Sequence, residues 1–313
     1  MKKEYMITID GGTTNTRISL VCDLKIIDTQ KYNIGARAGI MDKSALKNTV
    51  RDGISDILVK NNMNRQDISK ILASGMITSE FGLYKLDHIT APAGIAELNA
   101  AMQEVLLEDI SDIPFVFMCG VKTNAKELES ADMMRGEETE LMGLLQDGSG
   151  VYILPGSHSK IITVDDCGRI TDFFTALTGE MILSLSQNTI LKSTVDLNIS
   201  TLDEDYLIKG FDFCREFGIN EALFKTRVLD TIFHEKPEAL YSFYLGVVLC
   251  NEVTRIIKIN PPRITIGGKK QIKEALSVIL KNKTNADIKC LSHEDVDRCV
   301  SLGAVRIYEH KIG

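Results

Sequence analysis

The feature that most limits how this chain can fold is one order of elements that occurs twice. From Tyr5 onward the pattern predicts three successive strands, Tyr5 to Ile9, Arg17 to Cys22 and Lys25 to Tyr32. An amphipathic helix follows, in which Leu46, Val50, Ile54, Ile57 and Leu58 recur at spacings of three and four. A strand at Ile71 to Ala73, a helix over Ile95 to Leu106, a strand at Phe115 to Met118 and a helix from Gly136 to Leu145 complete the first run. After the turn Asp147-Gly148-Ser149-Gly150 the order restarts, with strands at Val151 to Leu154, Lys160 to Val164 and from Gly168, then a helix over Ala176 to Leu191. Two or three helices are inserted at 202–257, before strand Arg263 to Ile266, helix 270–281, strand Ile288 to Leu291 and a last helix opened by Ser292 with Asp295 as a capping box. The expected architecture is α/β, with two duplicated domains, 1–147 and 148–313, flanking a central cleft into which each first hairpin turn points. The final helix is free to pack back on the first domain.

The chain has 313 residues, which suffices for two domains with full cores. Its 44% hydrophobic and 25% charged residues exclude disordered, collagenous and membrane classes. The formal net charge of −7 speaks against nucleic acid or an anionic membrane as the main partner. The N-terminal MKKEYMITID carries only a short apolar run, broken by Thr8 and Asp10, so neither a signal peptide nor a span is expected, and the protein is placed in the cytoplasm. Seven cysteines, never spaced as CxxC, read as reduced, buried thiols.

Four segments carry chemistry. Asp10-Gly11-Gly12-Thr13-Thr14-Asn15-Thr16-Arg17 forms the first hairpin turn. Its glycines let backbone N–H groups approach a phosphate, and its Thr and Asn side chains add donors. Asp10 is placed to hold Mg²⁺ through water, and Arg17 offers a cationic fork. No Walker A pattern occurs anywhere in the chain. Pro155-Gly156-Ser157-His158-Ser159-Lys160 occupies the matching turn of the second half, with Lys160 as a point charge toward phosphate or an anionic substrate. Met134-Arg135-Gly136-Glu137-Glu138-Thr139-Glu140 opens a helix. Glutamates in a first turn complement the helix dipole, and Glu137 or Glu138, with Asp132 as a third candidate, can also serve as the base that deprotonates an attacking hydroxyl. Arg135 can make a bidentate contact to a carboxylate or phosphate. Finally, Arg263 to Lys269 is a strand running into a Gly267-Gly268 turn and a helix, open enough for a flat ring or a ribose.

These residues resemble the 2-dehydro-3-deoxygalactonokinase family of the sugar kinase, heat-shock protein 70 and actin superfamily. The likeness is carried by IDGGTTNTR (9–17), SGMITSEFG (74–82), APAG (91–94), MRGEETELMG (134–143), PGSHSK (155–160), ITDFFTALTGE (170–180), IGG (266–268) and LGAVR (302–306). The resemblance implies two ribonuclease H-like domains of the actin-like ATPase fold, ATP and Mg²⁺ as co-substrates, and phosphorylation of the 6-hydroxyl of 2-dehydro-3-deoxy-D-galactonate. It also implies two phosphate loops, Asp10 to Arg17 and Gly156 to Lys160, with Gly267 and Gly268 at the adenosine. Gly75, Met76, Ser79 and Gly82, with Pro92, Ala93 and Gly94, would build the sugar-acid pocket. Thr178, Gly179 and Glu180 would close that pocket from the second domain or support the second loop. A homodimer is the family's habit.

The chain departs from the family pattern at three places, where an aromatic residue is usual after Asp10, Gly82 and Lys160 and where Gly11, Leu83 and Ile161 stand here. There is no tryptophan at all. An aromatic plane can pack on a sugar face, so these changes bear on substrate choice. Two other readings compete: a phosphohydrolase acting on polyphosphate or pyrophosphate, and a non-catalytic, nucleotide-dependent actin-like scaffold.

Overall fold

The computed structural model describes residues 4–145, 148–268 and 270–310. The chain divides into two compact units. One gathers Met1–Ser149, Val164–Phe173 and Glu294–Gly313, the other Gly150–Thr163 and Phe174–His293. Asp147, at which the sequence pattern ends its first half, lies outside the described residues, as does Lys269.

The first unit is built on a sheet whose strands run β1 (Tyr5–Gly11), β2 (Thr16–Cys22), β3 (Lys25–Tyr32) and β4 (Ile68–Gly75). Two short strands follow, β5 (Ile89–Thr90) and β6 (Gln103–Val105), then β7 (Phe115–Phe117), β8 (Val121–Lys122) and β9 (Met133–Met134). The large sheet has the order β3-β2-β1-β4-β7-β6, and β5, β8 and β9 form a small sheet of their own. β1 and β2 are an antiparallel hairpin closing at Gly11↔Thr16, whereas β4 lies parallel to β1 with Asp10 opposite Ser74 and Gly11 opposite Gly75. The helices are α1 (Ala38–Met41), α2 (Lys43–Lys60), α3 (Ile95–Ala100) and α4 (Glu137–Leu144). Asp42 caps α2 by accepting from the Ser44 N–H at 2.8 Å. The periodic residues Leu46, Val50, Ile54, Ile57 and Leu58 are all buried, so the helix packs with its predicted face.

One predicted helix of the first unit differs from expectation. The helix predicted over Ile95 to Leu106 ends at Ala100, and Gln103–Val105 instead forms the antiparallel edge strand β6 beside β7. Leu106, which a longer helix would bury, is exposed. Pairing of the backbone with β7 satisfies its N–H and C=O groups outside a helix.

The second sheet repeats the plan; its residues belong to the second unit except Val164 of β11 and residues 170–173 of β12, which the first unit gathers. β10 (Gly150–Leu154), β11 (Ser159–Val164), β12 (Ile170–Ala176), β13 (Arg263–Ile266) and β14 (Asp287–Cys290) take the order β12-β11-β10-β13-β14, the same order as β3-β2-β1-β4-β7. The helices are α5 (Thr178–Asn188), α6 (Glu204–Phe217), α7 (Ile219–Thr231), α8 (Pro237–Ile259) and α9 (Lys270–Lys283). The inserted segment thus holds three helices, and α5 is shorter than predicted, giving way to a 3₁₀ turn at Ile190–Ser193. α8 is long and apolar enough by composition to cross a membrane, yet most of it is buried, with Leu240, Tyr244, Val247 and Val248 in the core of this unit.

The last helix, His293–Tyr308, contributes its residues from Glu294 onward to the first unit. There Thr8 Oγ1 donates to Ser301 Oγ at 2.8 Å, and the Arg306 guanidinium donates to the Met142 and Gly143 carbonyls at 3.1 and 2.9 Å, capping the C-terminal end of α4. The seven cysteines are all free; five are buried as expected, but Cys167 and Cys290 are exposed, each beside a turn or an edge strand.

Candidate active site

In the first unit three backbones meet where β1, β4 and α4 begin or end. Gly75 leaves β4 at φ +84° and Gly136 precedes α4 at φ +111°, conformations that disfavour any residue with a Cβ. A Cβ at Gly75 would lie 2.7 Å from the Gly11 carbonyl oxygen and 3.6 Å from Asp10 Oδ1, and one at Gly136 would lie 3.2 Å from Gly75 Cα. Asp10, Ser74 and the first turn of α4 are thereby drawn to one place.

The two adjacent glutamates have different surroundings. Glu138 is fully buried, and both its oxygens accept from the Gly136 N–H at 2.9 and 2.8 Å, with the Thr139 hydroxyl donating to Oε1 at 3.1 Å. Burial, and then the charge of Glu137, push it up to about 8, so it holds its proton at neutral pH. Glu137 is half-buried and accepts from the Arg135 N–H at 3.0 Å. Glu140, which the sequence reading did not single out, is pushed up to about 8 by burial and by the charges of Glu137 and Asp10, and hydrogen-bonds the Cys299 thiol. Asp10 is itself raised by burial, against the pull of Arg17. Four carboxyl groups therefore share one small region, and protonation of two of them relieves the repulsion.

This sharing has a consequence for stability. A carboxyl whose pKa is raised on folding contributes stability that is complete below its unfolded value near 4.5 and is lost as pH rises through its folded value near 8. Thermal stability is therefore expected to fall between about pH 5 and pH 9. Glu140→Gln is expected to flatten that profile in melts recorded across the range, and an unchanged slope would rule out Glu140 as a cause.

Arg135 is committed to structure. Its guanidinium donates to Thr78 O at 2.9 Å, Thr78 Oγ1 at 2.7 Å and Leu86 O at 2.8 Å, and lies 3.3 Å from the His88 ring nitrogens. It ties the start of α4 to the segment that carries Met76, Ser79 and Gly82. In that segment the Ser79 hydroxyl donates to Met76 O at 2.7 Å, and Gly82 is wedged against the Ile77 carbonyl with no room for a Cβ. Asp132 sits at the small sheet, where its carboxylate accepts from the Met133 N–H at 2.7 Å, and its backbone pairs with Thr123. Ala93 exchanges both backbone hydrogen bonds with Ile170, and the Gly94 N–H donates to Glu97 Oε2 at 2.8 Å. Pro92, between Ala91 and Ala93, is exposed.

The first hairpin turn is held from below. The Gly12 carbonyl accepts from Ala36 N–H at 3.0 Å and the Thr13 carbonyl from Arg37 N–H at 2.9 Å, leaving Thr13, Thr14 and Asn15 exposed. A cavity of about 420 Å³ opens beside them, lined by Asp10, Gly12, Thr14, Asn15, Thr16 and Arg17 together with Lys31 and Asn33, two residues the motif did not include. Of the three places where the family has an aromatic residue, position 11 is closed by packing, since a Cβ there would lie 2.6 Å from Ile77 Cβ. Ile161 is buried in β11, in the core of the second unit, and only Leu83 is half-exposed.

In the second unit the turn 155–159 is braced by the start of α5. Gly179 N–H donates to Gly156 O at 3.1 Å, Glu180 N–H to Ser157 O at 3.2 Å, and His158 Nε2 lies 3.0 Å from Glu180 Oε1. Lys160 is buried, and its ammonium donates to Thr175 Oγ1 at 2.6 Å. The Ser159 hydroxyl is buried with no hydrogen-bond partner among the described residues. Gly268, at φ +77°, approaches Pro155 so closely that a Cβ would lie 2.6 Å from its carbonyl oxygen, and the Gly267 N–H donates to Ile153 O at 2.9 Å. Beneath α5 the Thr178 hydroxyl donates to Glu252 Oε2 at 2.7 Å; burial pushes Glu252 up to about 7. A single carboxyl on the buried face of an apolar helix is the signal that would have found Glu252 in the sequence.

With this geometry in hand, the sequence matches the family model for 2-keto-3-deoxy-galactonokinase over residues 10–307. The chain belongs to that family. Its members are phosphotransferases named for a sugar-acid substrate. Among curated relatives, a protein of Rhizobium meliloti (strain 1021) assigned as 2-dehydro-3-deoxygalactonokinase is 32% identical over 128 residues, which is 40% of this chain and 40% of that relative. The 2-dehydro-3-deoxygalactonokinase of Escherichia coli (strain K12) is 23% identical over 255 residues, 79% of this chain and 78% of its own length. Among solved structures, a Sinorhizobium meliloti protein assigned to the same activity superposes with a TM-score of 0.77 at 19% identity, covering 97% of this chain and 98% of that one. A Porphyromonas gingivalis protein assigned as an N-acetylglucosamine kinase gives a TM-score of 0.52 at 16% identity, covering 96% and 99%. At such identities these structures speak to the fold, and the fold of this 2-keto-3-deoxy-galactonokinase family member is the duplicated actin-like ATPase architecture that the family resemblance implies.

Proposed function

We propose that the protein is a cytoplasmic, ATP-dependent kinase that phosphorylates the 6-hydroxyl of 2-dehydro-3-deoxy-D-galactonate or a closely related keto sugar acid. Membership of the family supports the reaction class. The observation that carries the mechanism is the unequal burial of the two adjacent glutamates: Glu138 is fully buried, and Glu137 is the more accessible carboxylate at the start of α4.

In this reading Glu137 accepts the proton of the substrate hydroxyl as the hydroxyl oxygen forms its bond to the γ-phosphorus of ATP. The bond from that phosphorus to the bridging oxygen breaks, and ADP leaves with the electron pair. Glu138 serves Glu137 by fixing the Gly136 N–H and the start of the helix, and Arg135 positions the segment bearing Met76 and Ser79. The exposed turn Thr13 to Asn15 and the braced turn Gly156 to Lys160 both serve the phosphates, with Gly267 and Gly268 at the adenosine.

The donor set beside the first turn suits a hydrated divalent ion. Among the described residues no group of three His, Cys, Asp or Glu side chains could chelate a metal, while the Asp10 carboxylate lines the cavity of the first turn with the Thr14 and Asn15 side chains. Asp10 would hold Mg²⁺ through its water shell, and the ion would supply charge neutralisation on the phosphates.

A coupled assay with ATP, Mg²⁺ and 2-dehydro-3-deoxy-D-galactonate is expected to show ADP formation that depends on the acid. ADP release at an equal rate without the acid, or no turnover on this acid, its gluconate epimer or any related keto acid, would overturn the proposal.

A further inference from the structure

The β2–β3 face carries a charge pattern that the kinase reading does not use. In the register of these antiparallel strands Arg17 lies directly opposite Lys31. Like charges directly opposite one another across a strand pair are unfavourable unless something of the other sign lies between them. The same strand face continues through Ser19 and Thr29, whose hydroxyls lie 2.9 Å apart, and Lys25 opens β3. Facing these strands are Glu294, Asp297 and Arg298, which share one side of the first turns of the last helix.

Between strands and helix lies a cavity of about 830 Å³, lined by Arg17, Lys25, Lys31 and Arg298 among others. That volume falls in the range of small-molecule sites. The charges do not cancel. Arg298 pairs with Glu294 at 3.0 Å and Arg17 with Asp297 at 3.7 Å, whereas neither Lys25 nor Lys31 has an ion-pair partner among the described residues. Two unpaired ammonium groups and two guanidinium groups around one concavity form a receptor for a dianion.

We infer that this cavity binds a phosphate monoester that also carries a carboxylate, the chemical class of a phosphorylated sugar acid. The phosphate would sit between Lys31, Arg17 and Lys25, with the carboxylate toward Arg298. Arg17 and Lys31 also line the 420 Å³ cavity of the first hairpin turn. A dianion in the larger cavity draws both cations toward itself and weakens the hold of the smaller one on nucleotide phosphate, so the bound acid inhibits against ATP. The class of ligand rests on the kinase reading, because such an acid is its product; the binding itself does not require turnover.

The test uses the full chain and 6-phosphogluconate as the probe, followed by isothermal titration. One equivalent is expected to bind, and Lys25→Gln with Arg298→Gln is expected to weaken it at least tenfold, while kcat in the absence of probe stays within twofold of the parent. Inorganic phosphate is expected to bind at least tenfold more weakly than the probe; equal affinity would remove the carboxylate from the assignment and overturn it. Unchanged probe affinity in the double variant would overturn the site itself. Should the double variant fail to fold, the single exposed change Lys25→Gln carries the same comparison with an expected loss of at least threefold. If binding follows this pattern in a protein that phosphorylates no keto acid, the kinase reading fails and the cavity assignment stands. Turnover without this binding pattern gives the converse.

Discussion

Glu137→Gln is expected to lower kcat by about 10²- to 10⁴-fold, the range for removal of a general base, with the KM for ATP held within a few-fold. The substitution removes the charge of the half-buried carboxylate at the start of α4 and leaves an oxygen that can accept from the Arg135 N–H. Glu138→Gln provides the internal contrast. Glu138 is fully buried and already protonated at neutral pH, since burial raises it to about 8, so a neutral amide resembles the form present. Its expected loss in kcat is under about tenfold, for a group that acts through hydrogen bonds rather than as a base. Single-turnover measurements on both variants with saturating ATP would decide the matter. A Glu138→Gln loss equal to or larger than that of Glu137→Gln would reverse the assignment.

Gly303→Ala is expected to give a large loss of stability for a single added methyl. The last helix crosses α4 with backbone against backbone. A Cβ at Gly303 would overlap the Thr139 carbonyl oxygen, and a Cβ at Gly143 would overlap the Cys299 carbonyl oxygen. Neither obstacle is a flexible side chain, so both helices must move apart. Overpacking of this kind costs about 3 kcal/mol, which corresponds to a fall of roughly 6–12 °C in Tm for a domain of this size. Because α4 carries Glu137, the same change is expected to reduce activity in the protein that remains folded. Gly218→Ala is the control: its Cβ meets nothing within 4 Å, and only its φ of +82° opposes the change, for an expected cost of about 1 kcal/mol. Thermal melts of the two variants beside the parent test the comparison, and equal losses would mean that backbone conformation rather than the helix crossing sets the cost.

The fold was largely legible because its information is local and periodic. The spacing of Leu46, Val50, Ile54, Ile57 and Leu58 is set by which face must be buried, and that requirement acts over a few residues at a time. The edge strand β6 is not legible in the sequence because the three residues Gln103–Val105 are too few to express a period; pairing with β7 decides their conformation. The glycines of the site were visible as letters, but their reasons differ. Gly75 and Gly136 are required by left-handed backbone and close approach, whereas Gly11 makes room for Ile77 as much as for any phosphate.

By itself, the sequence determined the duplicated order of elements and the family, and pointed to the segments proposed to hold the chemistry, because each is encoded in runs of neighbouring residues. Only the tertiary structure buried Glu138 and left Glu137 half-buried, gave Arg135 to the Thr78 and Leu86 carbonyls, and brought Glu140, Cys299 and Asp10 into one electrostatic neighbourhood. Those outcomes depend on burial and on partners far apart in the chain. A residue's desolvation, and hence its proton and its reach, is a property of what surrounds it in space, which spacing along the chain does not carry.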